Sequence, residues 1–135
     1  MMNSLILKTA ANFLLLITLC FSVWVLFRGH NSPGGGFIGG LLSASGFSLY
    51  LLAHGSTALR KLVKINFKLL LSCGLLFSLC SGLISVLQKK VFLTGVWIEI
   101  DFFKLGSPIL FDVGIYLIVL SSVLIIVQSL AAESI

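Results

Sequence analysis

Residues 113–132 read VGIYLIVLSSVLIIVQSLAA, which is twenty consecutive residues without Lys, Arg, Asp or Glu. A helix that crosses a bilayer needs about 20 mostly apolar residues, so this stretch is long enough to span it. Comparable uncharged stretches lie upstream, over residues 9–27, 29–59 and 69–88. The pattern therefore predicts an all-α integral membrane protein with four transmembrane helices arranged as two helical hairpins. We place these helices near residues 5–27, 34–54, 67–87 and 108–130.

The composition favours a membrane protein and argues against the other broad classes. Hydrophobic residues make up 59% of the 135 residues and charged residues only 10%, whereas a soluble domain has about 45–50% and about 25%. So few charges cannot cover a water-facing surface, and a chain this rich in Leu, Ile, Val and Phe is not disordered. The net charge of +5 comes without the dense basic face that nucleic-acid binding needs. We expect one transmembrane domain over residues 1–135.

The sequence contains no arrangement typical of catalysis or metal binding. Cys20, Cys73 and Cys80 lie inside apolar stretches and lack C-x-x-C spacing, which favours small packing residues over disulfides or metal ligands. No nucleophile, base and orienting group occur together, and no pair of catalytic carboxylates is evident. We therefore expect a protein that is not an enzyme and that has no cofactor or metal site.

The distribution of Lys and Arg indicates an orientation in the membrane. Four spans put both termini and the 55–68 loop on one side, which carries five basic residues against four on the other side. The five are Lys8, Arg60, Lys61, Lys64 and Lys68, and the four are Arg28, Lys89, Lys90 and Lys104. The dense cluster within residues 60–68 predicts cytoplasmic termini. This cluster is either a plain topology signal or a contact for an anionic lipid or a partner.

Two spans have similar entrances, and two have faces of small residues. Ser32-Pro33 and Ser107-Pro108 are predicted to open the second and fourth spans. Ser caps the first turn of a helix, and Pro fits the first helical position.

Small residues mark close helix contacts, because lipid supplies no hydrophobic force between helices. At four-residue steps they are Gly36, Gly40, Ala44 and Ser48 on the second span, and Gly74, Ser78 and Gly82 on the third. These faces contact either other helices of this chain or neighbouring subunits.

One acidic residue, Asp112, lies about one turn inside the fourth span. An ionised carboxylate at the bilayer centre costs about 2.5–3.5 kcal/mol, and less near an interface. Arg28 ends the first span on the same side of the membrane, so we predict an Arg28–Asp112 ion pair with His30 nearby. Two roles remain open for Asp112: a structural latch that joins the two hairpins, or a relay post for a cation or proton.

The connection before the second span is rich in glycine. Pro33, Gly34, Gly35 and Gly36 predict a tight turn, because these residues allow sharp changes of backbone direction. Residues 34–39 also match G-x-G-x-x-G. A dinucleotide site is rejected, since a membrane helix and not a strand precedes the motif.

The connection over residues 88–107 differs from the spans. Aliphatic residues at 96, 98 and 100 alternate with Trp97, Glu99 and Asp101, which predicts an extended interfacial segment with Trp97 at headgroup depth. The segment is either a solvated loop or, through Glu99 and Asp101, an attractor of cations.

Two motifs together resemble the signature of a known family. Residues 28–40 read RGHNSPGGGFIGG and residues 105–116 read LGSPILFDVGIY. Each lies at a predicted helix entrance, and together they resemble the MnhB/MrpB family, which forms the B subunit of the multisubunit Mrp-type sodium/proton antiporter. The resemblance covers residues 4–130, with Ser107 where Thr is common in the family.

This resemblance implies an accessory subunit of a monovalent cation (Na⁺)/proton antiporter in the bacterial inner membrane. Its partners would be the other hydrophobic subunits of a Mrp-type complex, and its roles would be complex assembly and lining a cation path. The matching positions are Arg28, His30, Pro33, Gly34, Gly35, Gly36 and Asp112. Two alternatives stay open: the homologous subunit of a membrane-bound hydrogenase or related redox-driven pump, and a stand-alone small channel.

Overall fold

A computed structural model describes residues 4–29, 35–89, 97–100 and 103–133. Its helices are α1 Leu5–Arg28, α2 Gly36–His54, α3 Ser56–Leu62, α4 Phe67–Leu87 and α5 Ser107–Glu133, and its strands are β1 Trp97–Ile100 and β2 Phe103–Gly106. Three residues of the predicted site, His30, Pro33 and Gly34, lie outside the described residues.

The four predicted spans correspond to α1, α2, α4 and α5, each of which is long and apolar enough to cross a membrane. The all-α class with four spanning helices is therefore confirmed. The bounds differ by a few residues. The second span begins at Gly36 and not at residue 34, and Gly35 before it has a φ of 107°, a left-handed conformation that the helix cannot include. At the other end of the chain, α5 continues to Glu133, three residues beyond its predicted end.

The spans pack as two hairpins that meet at their centre. Within the described residues, α1 packs against α2, α4 packs against α5, and α2 packs against α5. The buried core lies along this central contact and contains Ala44 and Leu51 of α2 together with Leu120 and Leu124 of α5. The two central helices therefore hold the hairpins together, and α1 and α4 lie to either side of them.

The outer helices carry large apolar side chains on their open faces. Phe13 of α1 is 65% exposed, and Leu69 of α4 is 61% exposed. A surface of this kind in water would promote aggregation. In a bilayer it contacts lipid tails or other subunits at no such cost.

A short helix occupies much of the 55–68 segment, for which the sequence predicts a loop. Gly55, with a φ of 93°, ends α2, and its N–H donates to the Leu51 carbonyl at 2.8 Å. Ser56–Leu62 then forms α3, and Leu59 is its fully buried residue. A helix of seven residues with a single buried anchor is too short to give a periodic signal.

The predicted extended segment over residues 96–101 is a strand in its described part. β1 pairs with β2 as an antiparallel hairpin, with Trp97 opposite Gly106 and Ile100 opposite Phe103. The partner strand was not predicted. β2 leads directly into α5, so the hairpin sets where that helix begins. The depth of Trp97 in the membrane stays a prediction.

Candidate functional site

The contact between α2 and α5 depends on glycines at the start of α2. A Cβ atom at Gly36 would collide with the carbonyl oxygen of Asp112, and a Cβ atom at Gly40 would lie 2.8 Å from the Cβ of Val119. Real Cβ atoms do not approach other heavy atoms this closely, so the two backbones touch only because these positions have no side chain. The predicted face continues with Ala44, which is fully buried, and Ser48, which is half-buried and donates to the Ala44 carbonyl at 2.7 Å.

A second glycine face of α2 contacts α1 and was not predicted. A Cβ atom at Gly39 would lie 2.8 Å from the carbonyl oxygen of Ser22, and one at Gly46 would collide with the Thr18 hydroxyl. Gly39 and Gly46 are seven residues apart, which places them on one side of a helix. The spacing of these two glycines is therefore a sequence signal for a second packing face. The prediction considered only the face that starts at Gly36.

The contact between α4 and α5 uses a reciprocal pair of glycines. A Cβ atom at Gly74 would lie 2.8 Å from the carbonyl oxygen of Gly114, and a Cβ atom at Gly114 would lie 2.8 Å from that of Gly74. Ser78 donates to the Gly74 carbonyl at 3.0 Å, and Gly82 is buried further along α4. Gly114 was not predicted as a packing residue.

Asp112 lies where the two hairpins meet. It is half-buried, and its carboxylate oxygens lie 3.6 and 3.7 Å from the place of a Cβ atom at Gly35. Gly35 is the N-cap of α2 and provides no side-chain capping bond. The N-terminal end of a helix carries a partial positive charge, so a nearby carboxylate stabilises it. The side chain of Asp112 on α5 is thus placed to supply the negative charge that α2 lacks at its own start.

The predicted Arg28–Asp112 ion pair stays a prediction. The guanidinium carbon of Arg28 lies 4.8 Å from the ring centroid of Trp24, one turn earlier on α1. This distance is within the range of a cation–π contact. His30 lies outside the described residues.

A partly buried hydrogen bond links α1 to α5 one helical turn after Asp112 in the sequence. The hydroxyls of Ser22 and Tyr116 are 2.8 Å apart, and Ser22 also donates to the Leu19 carbonyl at 2.7 Å. The single hydroxyl hydrogen of Ser22 is used in the bond to the Leu19 carbonyl. Tyr116 is therefore the donor in the bond between the two hydroxyls. The link passes beside Gly39, where a Cβ atom would lie only 3.1 Å from the Tyr116 ring, so the missing side chain leaves room for that ring.

Replacing Tyr116 with Phe is expected to lower the free energy of unfolding by about 0.6 kcal/mol, and by at most about 1.7 kcal/mol, the range for hydrogen bonds between membrane helices. Thermal unfolding in detergent measures the change. Tyr50→Phe is the matched control, because Tyr50 stacks on His54 at 4.2 Å and its hydroxyl makes no hydrogen bond to the described part of the chain. Equal destabilisation by both variants would contradict a role for the Ser22–Tyr116 bond.

Together these features define a multi-pass helical membrane domain whose two hairpins meet at glycine contacts beside one half-buried carboxylate. Residues 6–125 match the family model described as a domain related to the MnhB subunit of Na⁺/H⁺ antiporter, and the chain belongs to this family. The resemblance inferred from the two sequence motifs is therefore confirmed.

Relatives and a solved structure extend this match over nearly the whole chain. The B subunit of the Na⁺/H⁺ antiporter of Bacillus subtilis (strain 168) is 35% identical over an alignment of 136 positions, which covers 97% of this chain and 95% of the relative. The protein of the same name from Alkalihalophilus pseudofirmus is also 35% identical, with 97% and 94% covered. A chain in the structure of the Mrp complex from Dietzia sp. DQ12-45-1b matches with a TM-score of 0.82 and 29% identity. That match covers 93% of this chain but only 14% of the larger solved chain.

Proposed function

We propose that this chain is an accessory membrane subunit of a multisubunit Na⁺/proton antiporter, required for assembly of the complex. The observation that carries the proposal is the match to relatives named as the antiporter's B subunit, over 97% of this chain and 95% of the Bacillus subtilis relative. The partners are the other hydrophobic subunits of a Mrp-type complex. The location is the bacterial inner membrane, with both termini in the cytoplasm.

The packing of the chain supports an assembly role over independent ion exchange. An exchanger needs a site that binds either ion in turn and an element that moves between two states. Here the two central helices meet backbone to backbone at Gly36, and α4 meets α5 in the same way at Gly74 and Gly114. Contacts of this kind favour a rigid unit.

The open faces of α1 and α4 support the same proposal. Both carry large exposed apolar side chains along their length, which include Leu16 and Phe27 on α1 and Leu76 and Leu83 on α4. These two helices lie outside the α2–α5 centre, so their open faces are available to neighbouring subunits.

Asp112 contributes to the α2–α5 junction. A cation path beside its carboxylate is the second candidate role, and the half-buried position of Asp112 supports it.

Co-purification tests the proposed function. A tagged copy of the full chain, expressed in its bacterial host and extracted in mild detergent, is expected to bring down antiporter subunits that mass spectrometry identifies. An unrelated four-span protein with the same tag is the control. If this chain alone restored salt tolerance to a sodium-sensitive host that lacks the other subunits, the accessory role would be wrong.

A further inference from the structure

A cavity of about 620 Å³ lies at the end of the bundle that carries the basic cluster. Its walls come from the end of α3, the segment that links α3 to α4, the first residues of α4 and the last turns of α5. The polar side chains in these walls are Arg60, Lys64, Asn66, Lys68, Gln128 and Ser129. The proposed antiporter function assigns no role to this cavity.

The electrostatics of the cavity favour an anion. Arg60, Lys64 and Lys68 are exposed and line it, and no carboxylate occurs among the residues of its wall. Glu133, the last residue of α5, is exposed and lies outside the wall. The helix α4 begins at the cavity, and its N-terminal end adds a partial positive charge to the three side chains.

A buried donor points to the same kind of ligand. The side-chain nitrogen Nε2 of Gln128 is buried and has no hydrogen-bond partner among the described residues, and Gln128 lines the cavity. A buried N–H group without a partner is unfavourable, because it has lost its hydrogen bonds to water. Because Gln128 lines the cavity, a change of its rotamer would turn this N–H toward the cavity, where a phosphate oxygen would accept its hydrogen bond.

The position and the apolar walls of the cavity favour a lipid over a free ion. α5 is 27 residues long, which corresponds to about 40 Å at about 1.5 Å per residue, whereas a hydrocarbon core is about 30 Å thick. The last turns of α5, with Gln128 and Ser129, therefore lie near headgroup depth. Ile65, Phe67 and Ile125 line the same cavity, and these residues can contact the glycerol and the upper acyl carbons.

We propose that this cavity binds the phosphodiester headgroup of an anionic phospholipid. Arg60, Lys64 and Lys68 provide the charge, and Gln128 provides a hydrogen bond. A topology signal alone would need only basic residues on one side of the membrane. It would not need a cavity that those residues share with a buried donor.

Native mass spectrometry of the full chain in detergent tests the proposal, with phosphatidylglycerol, phosphatidylcholine and inorganic phosphate as separate probes. Phosphatidylglycerol is expected to bind at least tenfold more tightly than phosphatidylcholine. Each basic residue near an anionic membrane surface contributes about fivefold in affinity, and we expect the same increment for a residue in the cavity wall. The single variants Arg60→Gln, Lys64→Gln and Lys68→Gln are therefore expected to lose about fivefold each, and the triple variant on the order of 100-fold.

The matched control is Lys61→Gln, because Lys61 is an exposed basic residue of α3 outside the cavity wall. It is expected to retain phosphatidylglycerol within twofold of the unchanged chain. Circular dichroism checks that all variants keep the same helix content. Gln128→Glu is a second test, since it keeps the side-chain shape but places a negative charge beside the headgroup, and it is expected to weaken binding by at least tenfold.

Several results would overturn the proposal. Equal losses for Lys61→Gln and Lys64→Gln would show a diffuse surface charge and no site. Binding of inorganic phosphate with the same sensitivity to the variants, together with equal binding of the two lipids, would show a free-anion site. A photo-crosslinker at Ile65 that attaches to a protein subunit in cells, and not to lipid, would show that a partner covers the cavity.

Discussion

Gly36→Ala is expected to lower the free energy of unfolding by about 1–3 kcal/mol, the usual cost of overfilling a packed contact, with the upper end favoured here. The added methyl group would collide with the Asp112 carbonyl oxygen and lie 2.9 Å from its carbonyl carbon and 3.1 Å from the Tyr116 nitrogen. All three are backbone atoms of a helix, so none can rotate away. The two helices must separate, and the hairpins lose their main contact.

Unfolding of the full chain in mixed detergent micelles, followed by circular dichroism, measures this loss. Gly46→Ala is the matched control, since it adds the same methyl group at another buried glycine of α2. The nearest atom there is the side-chain hydroxyl oxygen of Thr18, which can move by a change of rotamer. We expect Gly36→Ala to be the more destabilising variant. A result in which both variants match the unchanged chain would show that α2 and α5 do not pack as described.

The sequence predicted the spans well because their physical requirement is simple. A helix in lipid satisfies its own backbone hydrogen bonds, so length and the absence of charge identify it. Packing was predicted only in part. A four-residue stripe identified Gly36 and Gly40, but α2 is a central helix with contacts on two sides. Gly39 and Gly46 belong to its second contact, which a search for one stripe per helix does not reveal.

The polar links of the site depended on topology, which the sequence does not contain. Ser22 and Tyr116 are 94 positions apart, and they meet only because α2 lies between their helices and has a glycine at the crossing. Arg28 also has a local partner that the predicted ion pair did not include. Trp24 lies four residues before Arg28, within reach on the same face of α1, and the two side chains stack. A pairing rule based on opposite charges alone does not consider this partner.

Asp112→Asn is expected to impair assembly of the complex and to leave transport by each assembled complex within twofold of normal. The substitution preserves the shape of the side chain but removes the negative charge beside the start of α2. A carboxylate at a helix N-terminus contributes about 0.3–1 kcal/mol, and up to about 2 kcal/mol where it is partly buried, as it is here. A loss of about 1–2 kcal/mol changes the folded-to-unfolded ratio by about 5–30-fold.

Two measurements on the same membranes separate the two roles of Asp112. Co-purification of partner subunits with the tagged chain measures assembly, and Na⁺/proton exchange normalised to the assembled complex measures transport. Glu133→Gln is the matched control, because it removes one carboxylate from the exposed last residue of α5 and is expected to change neither quantity. Normal assembly with lost transport would show that Asp112 is a relay post on the ion path, and the latch would then be wrong. Reduced assembly with normal exchange per complex would show that Asp112 is a structural latch, since a carboxylate on the ion path could not be neutralised without slowing the ions that pass it.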